Sequence, residues 1–304
     1  MEESVLTMNG VMKHRDSLLF GPVDLQLPKG YVFAIVGPNG SGKSTLLNIA
    51  LELLHPDAGT VSLLGQRLDK PLDRAIKQKI GYVPEVSSRD EDHFTLEQLA
   101  KFTAHWYPGW SWSKYDEFVA KFQLKPTQKF GKMSKGVRRK CELTMALSCQ
   151  PELLILDEPS SGLDPFAWKM MVDELRGFMD QGDRTVILST HIVDEMKRLA
   201  DYIVFVFQGQ VLGMFEKDSL LDNWKEMWVT EETGMAQDAG ELPGLVEWGR
   251  EAGGMIRLVS SDASATERTM RELGWNPVKT RTLELDETLL YLIQRKQTMR
   301  EEKS

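Results

Sequence analysis

Cysteine is scarce in this chain. Cys141 and Cys149 are the only two in 304 residues, they form no CxxC pair, and no histidine stands near them. That argues against a disulfide framework and against a zinc site, and leaves two reduced thiols on a packed helix, as expected in the cytosol. Long hydrophobic runs are missing as well. The longest, such as YIVFVF at 202–207, are strand-sized and far short of the about 20 residues needed to cross a bilayer. The opening MEESVLTMNG has neither the basic start nor the apolar centre of a signal peptide. Positive charge is in deficit: a formal net charge of -8 argues against general polyanion binding, so no nucleic-acid partner is expected. Internal repeats and low-complexity linkers are absent too.

What is present is a globular composition, 41% hydrophobic and 27% charged, with length for one large domain and a smaller one. SVLTM and VDLQL, separated by polar or Gly/Pro turns, predict an antiparallel sheet within the first 30 residues. YVFAIV (31–36) is a continuous apolar run suited to a buried central strand. A glycine-rich turn follows, and then STLLNIALELL, stopped by Pro56, predicts a buried helix over 44–54. From about 92 to 150 the pattern is helical, and TLEQ at 95–98 has the form of a capping box. The aromatics of HWYPGWSWSKYDEFVAKF are expected to form a local core, some of them lining a protein-binding groove.

Strand-like runs return at LLILD (153–157), TVILS (185–189) and YIVFVF, with QGQ and VLGMF forming a hairpin that closes the first domain. Helical segments between them predict a mostly parallel sheet covered by helices. Beyond about residue 219 the texture changes. MWVTEE, MIRLVSS and VKTRTLEL predict strands, and ATERTMRELG and DETLLYLIQRK predict helices, giving a small α/β domain over 219–304 with a frayed tail.

The glycine-rich turn, GPNGSGKST, runs from Gly37 through Pro38, Asn39, Gly40, Ser41, Gly42, Lys43 and Ser44 to Thr45. It fits G-x-x-x-x-G-K-[ST] between a strand and a helix, the form of a phosphate cradle. Glycines let successive backbone N–H groups close on phosphate oxygens, and the following helix adds the partial positive charge of its N-terminus. In such a loop Lys43 reaches the β- and γ-phosphates of a nucleoside triphosphate and the Ser44 hydroxyl ligates Mg²⁺. LLILDEPSSGLD puts Asp157 at a strand tip, where it can hold the magnesium. Glu158, one residue on, can orient and deprotonate an attacking water. ILSTH ends a third strand with His191, expected to touch the γ-phosphate.

Together these segments resemble the nucleotide-binding subunit of an ATP-binding cassette (ABC) transporter, over roughly residues 1–218. GPNGSGKST is similar to the Walker A loop, LLILDE to the Walker B strand, SGLD (161–164) to the D-loop, and His191 to the switch histidine. The basic stretch GKMSKGVRRK (131–140) falls where the family places its L-S-G-G-Q signature, written here as MSKGV. Ser134 and Gly136 match, whereas Lys135 and Val137 replace a glycine and a glutamine. The resemblance implies that Ser134, Gly136 and Asp164 reach ATP held by an opposing subunit, with Lys135 gaining a phosphate partner there. Arg138, Arg139 and Lys140 are expected on a solvated face or at a partner contact. The family's Q-loop glutamine appears as Glu85, a carboxylate that can approach magnesium without the amide's donor. The adenine-stacking aromatic has no clear match, and His14 lies near its place.

The fold this implies is α/β: a P-loop ABC cassette with a RecA-like core, an antiparallel β subdomain and a helical insert over about 86–150, followed by the small C-terminal α/β domain. WYPGW, the SKG signature and LELDETLL resemble cassettes of bacterial ABC-2-type exporters of the bacitracin-resistance, lantibiotic-immunity and acetoin-utilisation kinds. The resemblance implies an ATPase using ATP and Mg²⁺, peripheral on the cytoplasmic face of the plasma membrane. Its partners would be an integral membrane permease and a second ATPase subunit, identical or different. The alternatives are a soluble ABC ATPase not linked to transport, or a regulatory cassette of low activity in an asymmetric pair.

Overall fold

The computed structural model describes residues 3–15, 18–86, 89–231 and 239–301. The chain divides into two compact units, Met1–Gly213 and Met214–Ser304.

The first unit opens with β1 (Ser4–Arg15) and β2 (Leu18–Pro28), paired antiparallel with Thr7 opposite Gln26 and His14 opposite Leu19. β3 (Val32–Val36) is buried at every position, as a continuous apolar run requires, and leads through residues 37–42 into α1 (Lys43–Ala50). That helix ends four residues before the expected limit at 54. Glu52 adopts φ +60, and the N–H groups of Leu53 and Leu54 both return to Asn48 O at 2.8 and 3.1 Å, which closes the last turn ahead of Pro56. β4 (Ala58–Leu63) and the short β5 (Gln66–Arg67) complete a sheet of order β2-β1-β4-β5. Next come α2 (Arg74–Lys77) and β6 (Ile80–Val83).

The helical segment contains α3 (Leu96–Trp106), α4 (Trp112–Lys121) and α5 (Lys135–Ser148). The capping box is present: Gln98 N donates to Thr95 Oγ1 at 3.3 Å and Thr95 N to Gln98 Oε1 at 2.9 Å. Trp110, Trp112 and Tyr115 meet with ring centroids 5.4–5.9 Å apart, and Tyr115, Phe118 and Phe122 are buried, a local aromatic core. Phe102 and Trp106 on α3 stay exposed.

β7 (Leu153–Asp157), α6 (Pro165–Met179), β8 (Thr185–Thr190), α7 (Val193–Leu199), β9 (Tyr202–Phe207) and β10 (Gln210–Glu216) follow. The second sheet has the order β10-β9-β3-β8-β7-β6. Within it β3 pairs parallel with β8 and β9, and β7 with β8 and β6. β9 and β10 are joined by Gln208 and Gly209, both at positive φ, the backbone of a tight hairpin turn. One apolar core, including Phe20, Leu27, Phe33, Ile35, Leu46, Ile49 and Val204, joins the antiparallel sheet, α1 and the parallel sheet.

The second unit carries α8 (Lys217–Asn223), β11 (Lys225–Thr230), β12 (Leu245–Glu251), β13 (Met255–Ser260), α9 (Ala263–Glu272), β14 (Lys279–Thr282) and α10 (Leu285–Glu301). Its sheet is antiparallel, in the order β12-β13-β11-β14. Met227, Val229, Ile256 and Leu258 pack with Met270 and Trp275 in its core. Glu226, next to Met227 and so on the other face of the sheet, is buried between Arg257 and Arg281. α8 and β12 are additions to the elements expected from the sequence. β12 alternates with charged and exposed residues and lies at a sheet edge, so it carries little apolar signal.

Candidate active site at three strand tips

Register alone brings the candidate residues together. Val36 of β3 lies opposite Thr190 of β8, and Asp157 of β7 opposite Ser189 of β8. Gly37, Glu158 and His191 each come immediately after one of these positions, so three loops leave the sheet at one edge. In open parallel sheets the carboxyl edge is where ligands bind.

The loop after β3 is held tightly. A Cβ at Gly37 would come within 2.0 Å of Val206 O, so no other residue fits that turn. Gly42 has φ +110 and forms the N-cap of α1. Ser41 N donates to Pro38 O at 3.1 Å, and Ser41 O accepts from Gly209 N at 2.7 Å, which fastens the loop to the β9–β10 turn. The Lys43 side chain is only 6% exposed and donates to Gly37 O at 2.8 Å. Ser41 Oγ is buried with no hydrogen-bond partner among the described residues.

The second loop carries two buried carboxylates, Asp157 and Glu158. Ser189 Oγ donates to Asp157 Oδ1 and accepts from Glu158 N at 3.0 Å, so a single hydroxyl locks both residues. Glu158 has φ +46, a left-handed conformation that a non-glycine residue rarely takes. Its Oε1 lies 3.4 Å from Lys43 Nζ and its Oε2 2.8 Å from His191 Nδ1. The His191 side chain is half exposed, so the acid meets solvent through the imidazole. Behind it Glu195 of α7 is 1% exposed; burial pushes its carboxyl above the ordinary range, and the charge of Glu158 adds to this, while Ser160 and Thr190 oppose it.

The remaining candidates are placed as follows. Ser134 caps α5, accepting from Val137 N at 3.3 Å. Lys135 Nζ donates to Ser161 Oγ at 2.7 Å, and Gly136 lies against Gly162, so the signature packs on the D-loop of its own chain. Asp164 caps α6 through the N–H groups of Ala167 and Phe166 at 2.9 and 3.0 Å; these bonds, Ala167 first, hold its carboxyl below the usual range. Val83 of β6 pairs with Leu156, so Glu85 leaves the sheet beside the strand that ends in Asp157; its side chain is exposed. The exposed His14 ring sits 3.3 Å from Asp57 Oδ2. Its strand partner Leu19 places its carbonyl against Gly209, so this end of the antiparallel sheet adjoins the turn that holds Ser41.

The basic stretch needs a correction. Arg139 is not on a solvated face: it is 2% exposed and donates to the backbone carbonyls of Pro84 and Glu85. Arg138 is largely buried too, bound to Asp92 Oδ1 at 2.5 Å and stacked over Phe130 at 5.3 Å. Ser189 was missed in sequence; the signal was a hydroxyl at the end of an otherwise apolar strand.

These features suit a nucleoside triphosphate. A buried ammonium, an unpartnered buried hydroxyl and the N-terminus of an eight-residue helix converge on one glycine loop, and all of them offer donors. Among the described residues no group of three or more His, Cys, Asp or Glu forms a metal cage. A magnesium ion here fits the mode in which one or two protein oxygens, Asp157 and the half-buried Ser44, assist the phosphates.

Known proteins agree. The ABC transporter family model matches residues 20–161. The chain is 33% identical over 217 residues to the Nod factor export ATP-binding protein I of Burkholderia orbicola, covering 69% of this chain and 70% of that one. It is 30% identical over 253 residues to the protein of the same name from Cupriavidus pinatubonensis, covering 80% and 77%. Among solved structures, an ATP binding subunit of an ABC transporter superposes with TM-score 0.64 at 27% identity, covering 72% of this chain and 92% of that one. A dimeric ATP-binding cassette in a post-hydrolysis state with ADP and Pi shares the fold, with TM-score 0.61 at 22% identity over 69% and 98%. Among the described residues no helix is long and apolar enough to cross a membrane. The chain belongs to the ABC transporter family, as an ATP-binding and ATP-hydrolysing subunit.

Proposed function

We propose that the chain drives export through a separately encoded membrane permease, from the cytoplasmic face of the membrane and as one half of an ATPase pair. The observation that carries the catalytic part is the run of contacts from Lys43 through Glu158 to His191 at the strand tips. Lys43 and the 37–45 loop bind and orient the phosphates. Glu158 takes a proton from the attacking water, and His191 holds the carboxylate and the γ-phosphate in line. Ser44 and Asp157, with Glu85 as a second acid, would hold a magnesium ion, which would supply neutralising charge to the phosphates.

Ser134, Gly136 and Asp164 serve the nucleotide of the opposing subunit. Packing of the signature on the D-loop supports this division, since both segments form one block beside the chain's own site. Closure of the pair is favoured because ATP contacts both subunits only in the closed state. Support for export comes from the names of the relatives, which are export ATP-binding proteins.

Two measurements test the reading. The rate of Mg-ATP hydrolysis by the purified chain should rise faster than linearly with protein concentration. Lys43→Ala should weaken fluorescent-ATP binding by about tenfold or more, the loss of a buried charged hydrogen-bond donor. Unchanged affinity in that variant overturns the role given to the loop.

A further inference from the structure

We infer that Arg139 is a positioning residue that makes α5 and the Pro84–Glu85 segment move as one body, so that the signature and Glu85 change place together. The inference rests on the ATPase reading above and adds a coupling element to it.

The geometry is specific. β6 ends at Val83, and the next two carbonyls, of Pro84 and Glu85, have left the sheet ladder. Arg139 enters from α5 and its two terminal nitrogens take one carbonyl each, that of Glu85 at 2.9 Å. Glu142, one helical turn on, lies 3.3 Å from the same guanidinium. Burial works against the charge of Arg139, and Glu142, Asp157 and Glu85 work for it, in that order. A planar fork with two fixed donors matches two consecutive carbonyls; a lysine ammonium is a point charge on a flexible stem and cannot hold both in that geometry.

This clamp lies under a cleft of about 680 Å³ that Pro84 and Glu142 help to line, together with Phe94, Phe102 and Tyr107. About one turn before Arg139, at the N-terminus of the same helix, stand Ser134 and Gly136. A displacement of the cleft wall therefore cannot move the Glu85 backbone without α5, nor α5 without Glu85. Arg138 shares Glu142 with the clamp, at 3.6 Å, but its guanidinium is turned to Asp92 Oδ1 and the Phe130 ring, whereas the Pro84 and Glu85 carbonyls are bonded by Arg139.

The test uses the full chain with Arg139→Lys and Arg139→Gln, read in three ways: steady-state ATPase kinetics, fluorescent-ATP affinity, and backbone hydrogen exchange over β6 and the Glu85 and Val86 amides. Both variants are expected to lower kcat by about tenfold, the scale of a small misplacement of reacting groups. KM and nucleotide affinity should stay within about twofold of the parent. Exchange over β6 and at Glu85 and Val86 should quicken while the 37–45 loop keeps its protection. Should Arg139→Gln fail to fold, Arg139→Lys, which keeps the charge and loses only the fork, carries the comparison. An Arg139→Lys protein with parental kcat and parental exchange overturns the inference, as does one whose nucleotide affinity falls in step with kcat. A parent chain without Mg-ATPase activity would instead overturn the ATPase reading itself.

Discussion

His191 Nδ1 stands 2.8 Å from Glu158 Oε2, joining the loops that follow two adjacent parallel strands. The other carboxylate oxygen faces Lys43 at 3.4 Å, so one acid is held from both sides by groups on separate loops. A base oriented in this way is matched to a single direction of proton transfer.

Glu158→Gln keeps the size and most of the contacts and removes the base. Phosphate release should fall by about 100-fold or more, while fluorescent-ATP affinity stays near that of the parent. Near-parental turnover in the purified variant would remove Glu158 from its role.

Ser189→Ala takes one hydroxyl from two buried partners, Asp157 Oδ1 and Glu158 N. Glu158 N keeps its bond to the Ser189 backbone carbonyl at 3.2 Å, but Asp157 Oδ1 loses its donor, which should cost about 1–3 kcal/mol in denaturant unfolding. Turnover should also drop, by roughly tenfold, because the two acids lose their common anchor.

Cys141 and Cys149 are 0% and 3% exposed, and burial pushes both thiols up to about 12. The thiolate is the reactive form, so at pH 8 neither should react with iodoacetamide in the native protein. Both should react once the chain is unfolded in guanidinium; rapid native labelling would contradict the burial.

Burial pushes the Glu226 carboxyl up, but hydrogen bonds from Arg257 and Arg281 outweigh it and hold the group below its usual 4.5. A depressed carboxylate stabilises the folded state fully above 4.5, and that contribution is lost as pH falls through the folded value. Glu226→Gln should therefore destabilise by about 2–3 kcal/mol at pH 7, less than a fully buried pair because Arg257 keeps some solvent. In unfolding curves from pH 7 down to about pH 3, the gap between parent and variant should narrow below 4.5. A gap that stays constant would show that charge is not its source.

Legibility in the sequence followed the range of the contacts. The phosphate loop was readable because its chemistry depends on backbone shape, and Gly37, Gly42 and Lys43 state that shape within a few residues. Asp157 and His191 were readable as the ends of apolar strands, and the Thr95–Gln98 cap as a four-residue pattern. Arg139 was not, since its acceptors lie 54 and 55 residues earlier in the chain and nothing local marks them. In a run of positive charge the buried side chain looks like its neighbours. The end of α1 was misread for a related reason: Leu51, Leu53 and Leu54 continue the helical pattern, whereas the left-handed turn at Glu52 stops it. The polar edge strand β12 gave little signal because solvent imposes no alternation upon it.

The contact between Gly136 and Gly162 explains why one position of the stretch 133–137 is a glycine. A Cβ on Gly136 would stand 2.4 Å from Gly162 O, closer than any methyl can approach. Substitution there is sterically barred, and Lys135 beside it reaches across to Ser161 Oγ at 2.7 Å. Only a glycine therefore lets the start of α5 and the 161–164 loop lie backbone to backbone.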